Sequence, residues 1–312
     1  MPTWVEETFF RALNHAEFDV AELSLSAYLL TLFDEDPKYI AIPVFPSRSF
    51  RHRSIYIRSD SDIEVPEDLK GKRIGITRYR QTAGVWIRGI LEDYYNVPVN
   101  SVTYVSGGLE IPETEGKFWG MKELNEYLQK EKNIRVEAAE ERCLNDLLLN
   151  GEIDGIYSAR APSSFIKGDP RVKRLFSDYR TEEIEYYKKT GIFPIMHVIG
   201  VRRELYKRNG WLAFNLLKAF EKSKAIAYKL NNQTGALRSM IPWMNEEIDL
   251  MMSIAGEDYW PYGVKSNTLA LNAFLKYSYN QGLSRKLLDI EDIFAKETIQ
   301  TFDIDPFSPA QF

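Results

Sequence analysis

The chain has 312 residues, of which 44% are hydrophobic and 27% charged, a composition typical of a globular protein and not of a disordered one. The formal net charge of -5 and a pI near 5.5 argue against general nucleic-acid binding. No apolar run is long enough for a membrane span, and no targeting segment is visible. The single cysteine, Cys143, excludes an internal disulfide and a cysteine-rich metal site, which fits a reducing, cytoplasmic setting. Together with the charge and the apolar pattern, this leads us to expect a cytoplasmic protein without membrane or nucleic-acid partners.

The first sixty residues alternate between helical and extended patterns. Phe9 and Leu13 recur one turn apart in the first helix, and either Ser24 or Ser26 can cap the second helix. In chain order the patterns predict helix 5–17, strand 18–23, helix 24–33, strand 39–45 and strand 54–58.

The stretch "FPSRSFRHRSIYIR", residues 45–58, concentrates positive charge in an acidic chain. It contains Arg48, Arg51, Arg53 and Arg58 together with His52. A solvated basic loop and a site for a small anion both explain such a cluster, and composition alone favours the loop.

The next stretch, "DLKGKRIGITRYRQTAGVWIRGILEDYY", has a strand–loop–helix plan. Residues 73–76 are predicted to form the strand, and the helix is expected to begin near Gln81 or Thr82. The unpaired N–H groups and the positive dipole at that helix start could hold an anion.

The same plan recurs later in the chain. A strand is predicted at 101–107, a helix stops at Gly151, and the strand 153–158 leads into a loop with Arg160. A long apolar strand is then predicted at 192–205. It contains His197. The remaining chain is predicted to be mainly helical, at 211–231, 244–255, 268–281 and 286–297, with the aromatic loop "GEDYWPYGV" between two of these helices.

Strands that alternate with helices indicate a doubly wound α/β architecture with two lobes. We expect lobe one to contain residues 1–73 plus 198–312, with a helical C-terminal part, and lobe two to contain 74–197. Ligands of such folds bind in the crevice at the carboxyl ends of strands, here an interlobe cleft.

Several motifs resemble the 4,5-dihydroxyphthalate decarboxylase family. They are "IPVFPSRSFRH", "GIFPIMHV" and "DYWPYG", supported by "DLKGKRIGITRYRQTAGVWIRGIL", and the similarity extends from about residue 9 to about residue 290. The resemblance implies a type II periplasmic-binding-protein-like fold and decarboxylation of a dihydroxylated aromatic dicarboxylate. Family members usually begin with an additional β-strand in the sheet of lobe one. The sequence as given starts without it, which leaves open either a true start further upstream or an adapted version of the fold.

The implied reaction assigns roles to basic residues. In 4,5-dihydroxyphthalate each carboxylate lies para to a hydroxyl, so the ring itself accepts electrons and no organic cofactor is required. Histidine suits proton transfer near neutral pH, and His52 and His197 are the predicted catalytic pair. Neighbouring cations are expected to lower the pKa of His52. Arginine suits carboxylate binding, for which the candidates are Arg51, Arg48, Arg160 and Arg88.

Other candidates would bind or orient the substrate. Hydroxyl and amide groups at loops and helix starts could bond its oxygens, although capping explains such residues equally well. Trp260 and Tyr262 could stack on the ring, and Glu22 could orient an Arg or a His. Without a spaced histidine pair, no metal is expected. The hydrogen-bonding candidates are Ser24, Ser26, Gln81, Thr82 and Ser158.

Two alternatives stay open at this point. One is a non-catalytic solute-binding or sensor protein for an aromatic or heterocyclic acid, and the other is a related enzyme for another activated carboxylic acid. Two histidines among basic residues favour an enzyme, because a pure carboxylate binder needs only arginines. The sequence also leaves a homo-oligomer open.

Overall fold

The computed structural model of the protein describes residues 4–112 and 121–300. Within these ranges the strands are β1 (Val20–Ser24), β2 (Tyr39–Ile42), β3 (Ile55–Arg58), β4 (Arg73–Ile76), β5 (Thr103–Ser106), β6 (Arg135–Ala138), β7 (Gly155–Tyr157), β8 (Val172–Arg174) and β9 (His197–Arg202). The helices there are α1 (Val5–His15), α2 (Leu25–Thr31), α3 (Thr82–Tyr95), α4 (Met121–Lys132), α5 (Leu144–Leu149), α6 (Ser163–Ile166), α7 (Tyr179–Thr190), α8 (Arg203–Arg208), α9 (Leu212–Asn231), α10 (Met244–Ala255), α11 (Thr268–Asn280) and α12 (Ile290–Ile293). None of these helices combines the length and the apolar character that a membrane span requires.

The strands form two separate sheets. The first has the order β1-β9-β2, with β9 antiparallel to both neighbours. The second has the order β6-β5-β4-β7-β3-β8, in which β6, β5, β4 and β7 are parallel and β3 is antiparallel to β7 and β8. The α/β class with two sheets, expected from the alternating patterns, is confirmed.

Two chain segments connect the sheets and pair with each other. The Ser49 N–H donates to the Pro194 carbonyl (3.2 Å), and the Met196 N–H donates to the Ser47 carbonyl (2.9 Å). A single antiparallel bridge joins Arg48 to Ile195 between these two bonds. The Arg-rich stretch is therefore one of two paired crossing segments.

One part of the predicted lobe division needs correction. A boundary at residue 73 places the strand 55–58 in lobe one, but β3 pairs with β7 and β8 of the six-stranded sheet. The chain enters that sheet at β3 because this strand fills the position between β7 and β8, where its backbone groups find partners on both sides. The other lobe boundaries stay a prediction, and residues 1–3 and 301–312 lie outside the described residues.

Helix α3 is the main buried helix at the junction of the two sheets. Its residues from Thr82 to Leu91 are all buried, and the Trp86 indole N–H donates to the Ile195 carbonyl (2.8 Å). Gly89 allows α11 to approach closely, since a Cβ at that position would lie 2.2 Å from the Tyr277 ring. This packing holds the N-terminus of α3 in place.

Two predicted elements differ in the structure. The strand expected at 192–205 is regular only over β9, because Pro194 lacks an N–H group and residues 203–208 turn into α8. The helix expected at 286–297 is reduced to α12 and a 3-10 turn. Asp289 forms a capping box at the start of α12, and Phe294 leaves the helix to bridge with Ala41 of β2.

Candidate active site

A histidine–carboxylate pair lies at the adjoining ends of β1 and β9. The register of these strands sets His197 opposite Ser24, with Glu22 on the same face of the sheet. His197 Nδ1 lies 2.5 Å from Glu22 Oε1, and the Phe9 ring packs edge-on against the imidazole at 4.8 Å between centroids. Because Glu22 engages Nδ1, the pair orients the ring with Nε2 as the nitrogen that can exchange a proton with a substrate.

Hydroxyl groups beside this pair join the starts of two helices. Ser24 Oγ caps α2 by accepting from the Ala27 N–H, and it lies 2.9 Å from Thr82 Oγ1 at the start of α3. Thr82 Oγ1 also accepts from the Ser26 N–H (3.1 Å). Ser26 Oγ is buried and has no hydrogen-bond partner among the described residues. The predicted residues Ser24, Ser26 and Thr82 are thus brought together next to His197.

Arg160 lies near the same region, after the end of β7. Its backbone N–H donates to Ser158 Oγ (3.2 Å), and its exposed guanidinium pairs with Glu6 of α1 (2.7 Å). Glu6 lies one helical turn from Phe9, which packs on His197. Helix α1 therefore contacts both Arg160, which follows β7 of the six-stranded sheet, and His197, which begins β9 of the three-stranded sheet.

Gln81 is the N-cap residue of α3, and its side chain is held within the preceding loop. Gln81 Oε1 accepts from Thr77 Oγ1 (3.0 Å), and the Gln81 backbone is extended as an N-cap requires. The amide nitrogen of its side chain is therefore oriented by a local bond at the start of α3.

Arg48 and Arg51 are buried, so the solvated-loop explanation does not fit them. Arg48 donates to the carbonyls of Phe193 (3.0 Å) and Pro261 (2.7 Å) and to Asn267 Oδ1. Arg51 donates through Nη2 (2.7 Å) and Nε (3.2 Å) to the Met196 sulfur. Burial lowers the pKa of each arginine to about 10.

The other two arginines of the stretch lie nearer the surface. Arg53 is exposed, and Arg58 pairs with Asp60 at 2.8 Å. Only the first part of the Arg-rich stretch therefore turns its positive charge inward.

His52 lies in an aromatic box and not beside His197. Its ring packs against Tyr95, Phe176 and Tyr186 at 5.7, 5.1 and 5.3 Å between centroids. Both ring nitrogens are buried without a hydrogen-bond partner among the described residues. Burial lowers the pKa of His52 to about 4, so the expected direction is right but its cause is desolvation and not neighbouring cations. The predicted catalytic pair is therefore not brought together.

This environment predicts a pH-dependent contribution of His52 to stability. The unfolded state binds a proton near pH 6.5 and the folded state only near pH 4, so stability is complete above pH 6.5 and falls as the pH drops towards 4. We expect wild type to lose roughly 2 kcal/mol more unfolding free energy than His52→Leu between pH 7 and pH 5. Urea unfolding at both pH values measures the difference, and His15→Leu is the matched surface control. Parallel pH dependence in wild type and His52→Leu would show that the buried imidazole is not responsible.

Arg88 is buried within the packing of α3. Its Nε donates to Gln281 Oε1 (2.8 Å), its Nη2 donates to the Tyr79 carbonyl (2.6 Å), and the guanidinium lies 4.1 Å from the centroid of the Tyr79 ring. These contacts connect α3 to Tyr79 and to Gln281 after α11 through Nε and Nη2 of Arg88, while its Nη1 is buried without a hydrogen-bond partner among the described residues.

Trp260 and Tyr262 lie together in a different place, at a cavity of about 470 Å³ between α9, α10 and the aromatic loop. The Trp260 indole N–H donates to the Phe45 carbonyl (2.8 Å). Lys224 lies 4.8 Å from the centroid of the Tyr262 ring and is paired with Asp258 at 3.0 Å. Neither predicted histidine and none of the predicted arginines lines this cavity.

Arg80 is a basic residue of the site region that the sequence patterns did not single out. It is half-buried directly before Gln81, and its side chain has no hydrogen bond or ion pair with any described residue. Its position, after the end of β4 and at the start of α3, is the one signal that could have identified it. Within residues 4–112 and 121–300, no three His, Cys, Asp or Glu side chains are grouped so that they could hold a metal ion.

Comparison with solved structures finds proteins of low sequence identity. The periplasmic aliphatic sulphonate-binding protein SsuA of Escherichia coli is 12% identical, with a TM-score of 0.49, over 93% of this chain and 84% of that chain. The desulfurization enzyme DSZB is 13% identical, with a TM-score of 0.45, over 90% of this chain and 84% of that chain. No family model matches the chain.

Comparison with curated proteins finds much more similar relatives. A 4,5-dihydroxyphthalate decarboxylase of Comamonas testosteroni is 40% identical over 299 residues, which are 96% of this chain and 88% of the relative. Another from Pseudomonas putida is 43% identical over 184 residues, which are 59% of this chain and 68% of the relative. These relatives confirm the resemblance carried by the sequence motifs: the chain belongs to the 4,5-dihydroxyphthalate decarboxylase family.

Proposed function

We propose that this protein is a carboxy-lyase that converts 4,5-dihydroxyphthalate to 3,4-dihydroxybenzoate and carbon dioxide. Membership in the family supports the reaction class and the substrate. The observation that carries the chemistry is the His197–Glu22 pair beside the helix starts that hold Ser24 and Thr82. This arrangement combines an oriented proton donor with hydroxyl groups that can bond the oxygens of a substrate.

The reaction consumes one proton, and His197 is the group proposed to supply it. With Glu22 bonded at Nδ1, a protonated His197 presents Nε2–H to the ring carbon that bears the departing carboxylate. Transfer of this proton forms the new C–H bond. The C–C bond then breaks, carbon dioxide leaves, and the bond's electron pair returns to the ring and restores aromaticity. His197 takes up another proton from water before the next cycle.

The substrate's own hydroxyl supplies the electrons for protonation. The hydroxyl para to the departing carboxylate first loses its proton to water, and the phenolate pushes density onto the carbon that His197 protonates. Its oxygen is then a carbonyl until carbon dioxide leaves, when it becomes a phenolate again and takes its proton back from water. Ser24, Thr82 or Gln81 at the start of α3 can bond that oxygen. The positive end of the helix dipole favours the negative charge that the oxygen carries before the ring carbon is protonated and regains as carbon dioxide leaves. The electron flow begins and ends in the ring, so this mechanism uses no organic cofactor.

A direct assay tests the proposed function. Purified protein is incubated with 4,5-dihydroxyphthalate, and we expect carbon dioxide and 3,4-dihydroxybenzoate to form in equal amounts. Carbon dioxide is measured by its release, the aromatic product by chromatography, and substrate binding separately by calorimetry. Tight binding without turnover would contradict the enzyme and support the alternative of a solute-binding or sensor protein.

A further inference from the structure

Arg80 is a half-buried cation without a counter-ion in the described structure. It lies in the loop between β4 and α3, the position at which parallel sheets bind ligands. Its guanidinium makes no hydrogen bond or ion pair with any residue in 4–112 or 121–300, whereas Arg160 is paired with Glu6 and Arg48 donates to backbone carbonyls. Arg80 is therefore free to bind something else.

The surroundings of Arg80 make its charge unfavourable in the ligand-free protein. Burial, followed by the nearby positive charge of Arg78, lowers the pKa of Arg80, and no carboxylate acts in the opposite direction. A partly desolvated guanidinium recovers the lost solvation when a carboxylate binds to it in a bidentate manner. Because the guanidinium is already partly desolvated in the folded protein, an anion that binds it does not have to displace that part of its hydration.

Arg80 is close in the chain to residues that contact the strand of the proposed proton donor, His197. Two residues further along the chain, Thr82 bonds Ser24, and Ser24 lies opposite His197 in the β1–β9 pairing. Ser26, whose N–H donates to Thr82, has a buried hydroxyl without a partner among the described residues. A buried hydroxyl without a partner and a half-buried guanidinium without a counter-ion among the described residues, Ser26 and Arg80, therefore lie at the start of α3.

We propose that Arg80 binds the carboxylate of the substrate that is retained in the product, and that it thereby determines the preference for a dicarboxylate. The inference rests on the proposed function. Arg80 is assigned to the retained carboxylate. A cation bound to the departing carboxylate would stabilise the substrate more than the transition state, in which that group is becoming neutral carbon dioxide, and it would therefore slow the reaction. A cation on the retained carboxylate holds the ring in place while His197 protonates the neighbouring position.

A cycle of two proteins and two ligands tests this assignment. The ligands are 3,4-dihydroxybenzoate, which keeps the retained carboxylate, and catechol, which has none. In Arg80→Met we expect the affinity for 3,4-dihydroxybenzoate to fall about ten- to a hundredfold, as for loss of a charged hydrogen bond, and the affinity for catechol to stay within about twofold. Calorimetry gives the four dissociation constants, and the KM for 4,5-dihydroxyphthalate should rise by a factor similar to that for 3,4-dihydroxybenzoate.

Controls separate this role from a structural one. Arg53→Met removes an exposed arginine and should leave all of these affinities unchanged, whereas Arg80→Lys, which keeps the charge without the planar fork, should give an intermediate loss. Equal weakening of both ligands in Arg80→Met, or no weakening of 3,4-dihydroxybenzoate, would overturn the proposal. Thermal unfolding checks each variant, and Arg80→Gln replaces Arg80→Met if the latter does not fold.

Failure of the role proposed for Arg80 can be distinguished from failure of the proposed decarboxylase function. If wild type binds 3,4-dihydroxybenzoate through Arg80 but releases no carbon dioxide, the carboxylate-binding role stands and the enzyme assignment fails. If wild type turns over 4,5-dihydroxyphthalate and Arg80→Met keeps the same KM, the enzyme assignment stands and the role of Arg80 is wrong.

Discussion

Replacing His197 with glutamine is expected to lower kcat for 4,5-dihydroxyphthalate by about 10²–10⁴-fold, the usual contribution of general acid–base catalysis. Glutamine preserves approximate size and polarity beside Glu22 but cannot deliver a proton at neutral pH. Substrate affinity should change little, because the proposed role of His197 is proton transfer and not binding. Steady-state release of carbon dioxide gives kcat, and calorimetry gives affinity.

The controls for this variant are another histidine and the partner carboxylate. His15, exposed near the end of α1, can be replaced with glutamine and should leave kcat unchanged. Glu22→Gln should lower kcat less than His197→Gln, since the ring keeps its proton donor but loses the charge that orients it. Turnover in His197→Gln close to the wild-type rate would exclude His197 as the proton donor.

Replacing Arg48 with methionine is expected to destabilise the folded protein by about 2–4 kcal/mol, with the substrate KM nearly unchanged. The change leaves the Phe193 carbonyl without its buried donor, removes one of the two side-chain donors to the Pro261 carbonyl and removes a bond to Asn267. These contacts join the crossing segment to the aromatic loop and to the residue before α11. Urea unfolding measures the free energy of unfolding, and steady-state kinetics measures KM.

Arg58→Met serves as the matched control for Arg48→Met. Arg58 belongs to the same Arg-rich stretch but forms a partly exposed pair with Asp60, so its loss should cost less than about 1 kcal/mol. An Arg48→Met protein as stable as wild type, with a strongly raised KM, would instead identify Arg48 as a substrate ligand.

Local signals in the sequence predicted much of the fold. The strand at residues 73–76, the start of α3 at Thr82 and the cap of α2 at Ser24 follow from hydrophobic periodicity and capping chemistry, which act over a few residues. The last predicted helix was too long because Phe294 pairs with Ala41, a contact between residues far apart in the chain. Periodicity carries no information about such a partner.

The candidate site was less predictable because its chemistry depends on burial and on distant partners. His52 and His197 both suit proton transfer by residue type, yet the structure encloses one in aromatic rings and pairs the other with Glu22. Arg51 and Arg80 look alike in sequence, but one contacts the Met196 sulfur and the other has no partner among the described residues. Side-chain type alone cannot separate these cases.

The sequence by itself determined the α/β alternation, the helix starts and, through its motifs, the family, because these depend on neighbouring residues or on whole stretches of identity. Only the tertiary structure decided which charged groups are buried, paired or unpaired. Glu22 and His197 are 175 positions apart, and Arg48 and Asn267 are 219 positions apart. Such pairs meet only when the two sheets and the crossing segments have packed, since the cost of burying a charge is set by the folded surroundings and not by the residue itself.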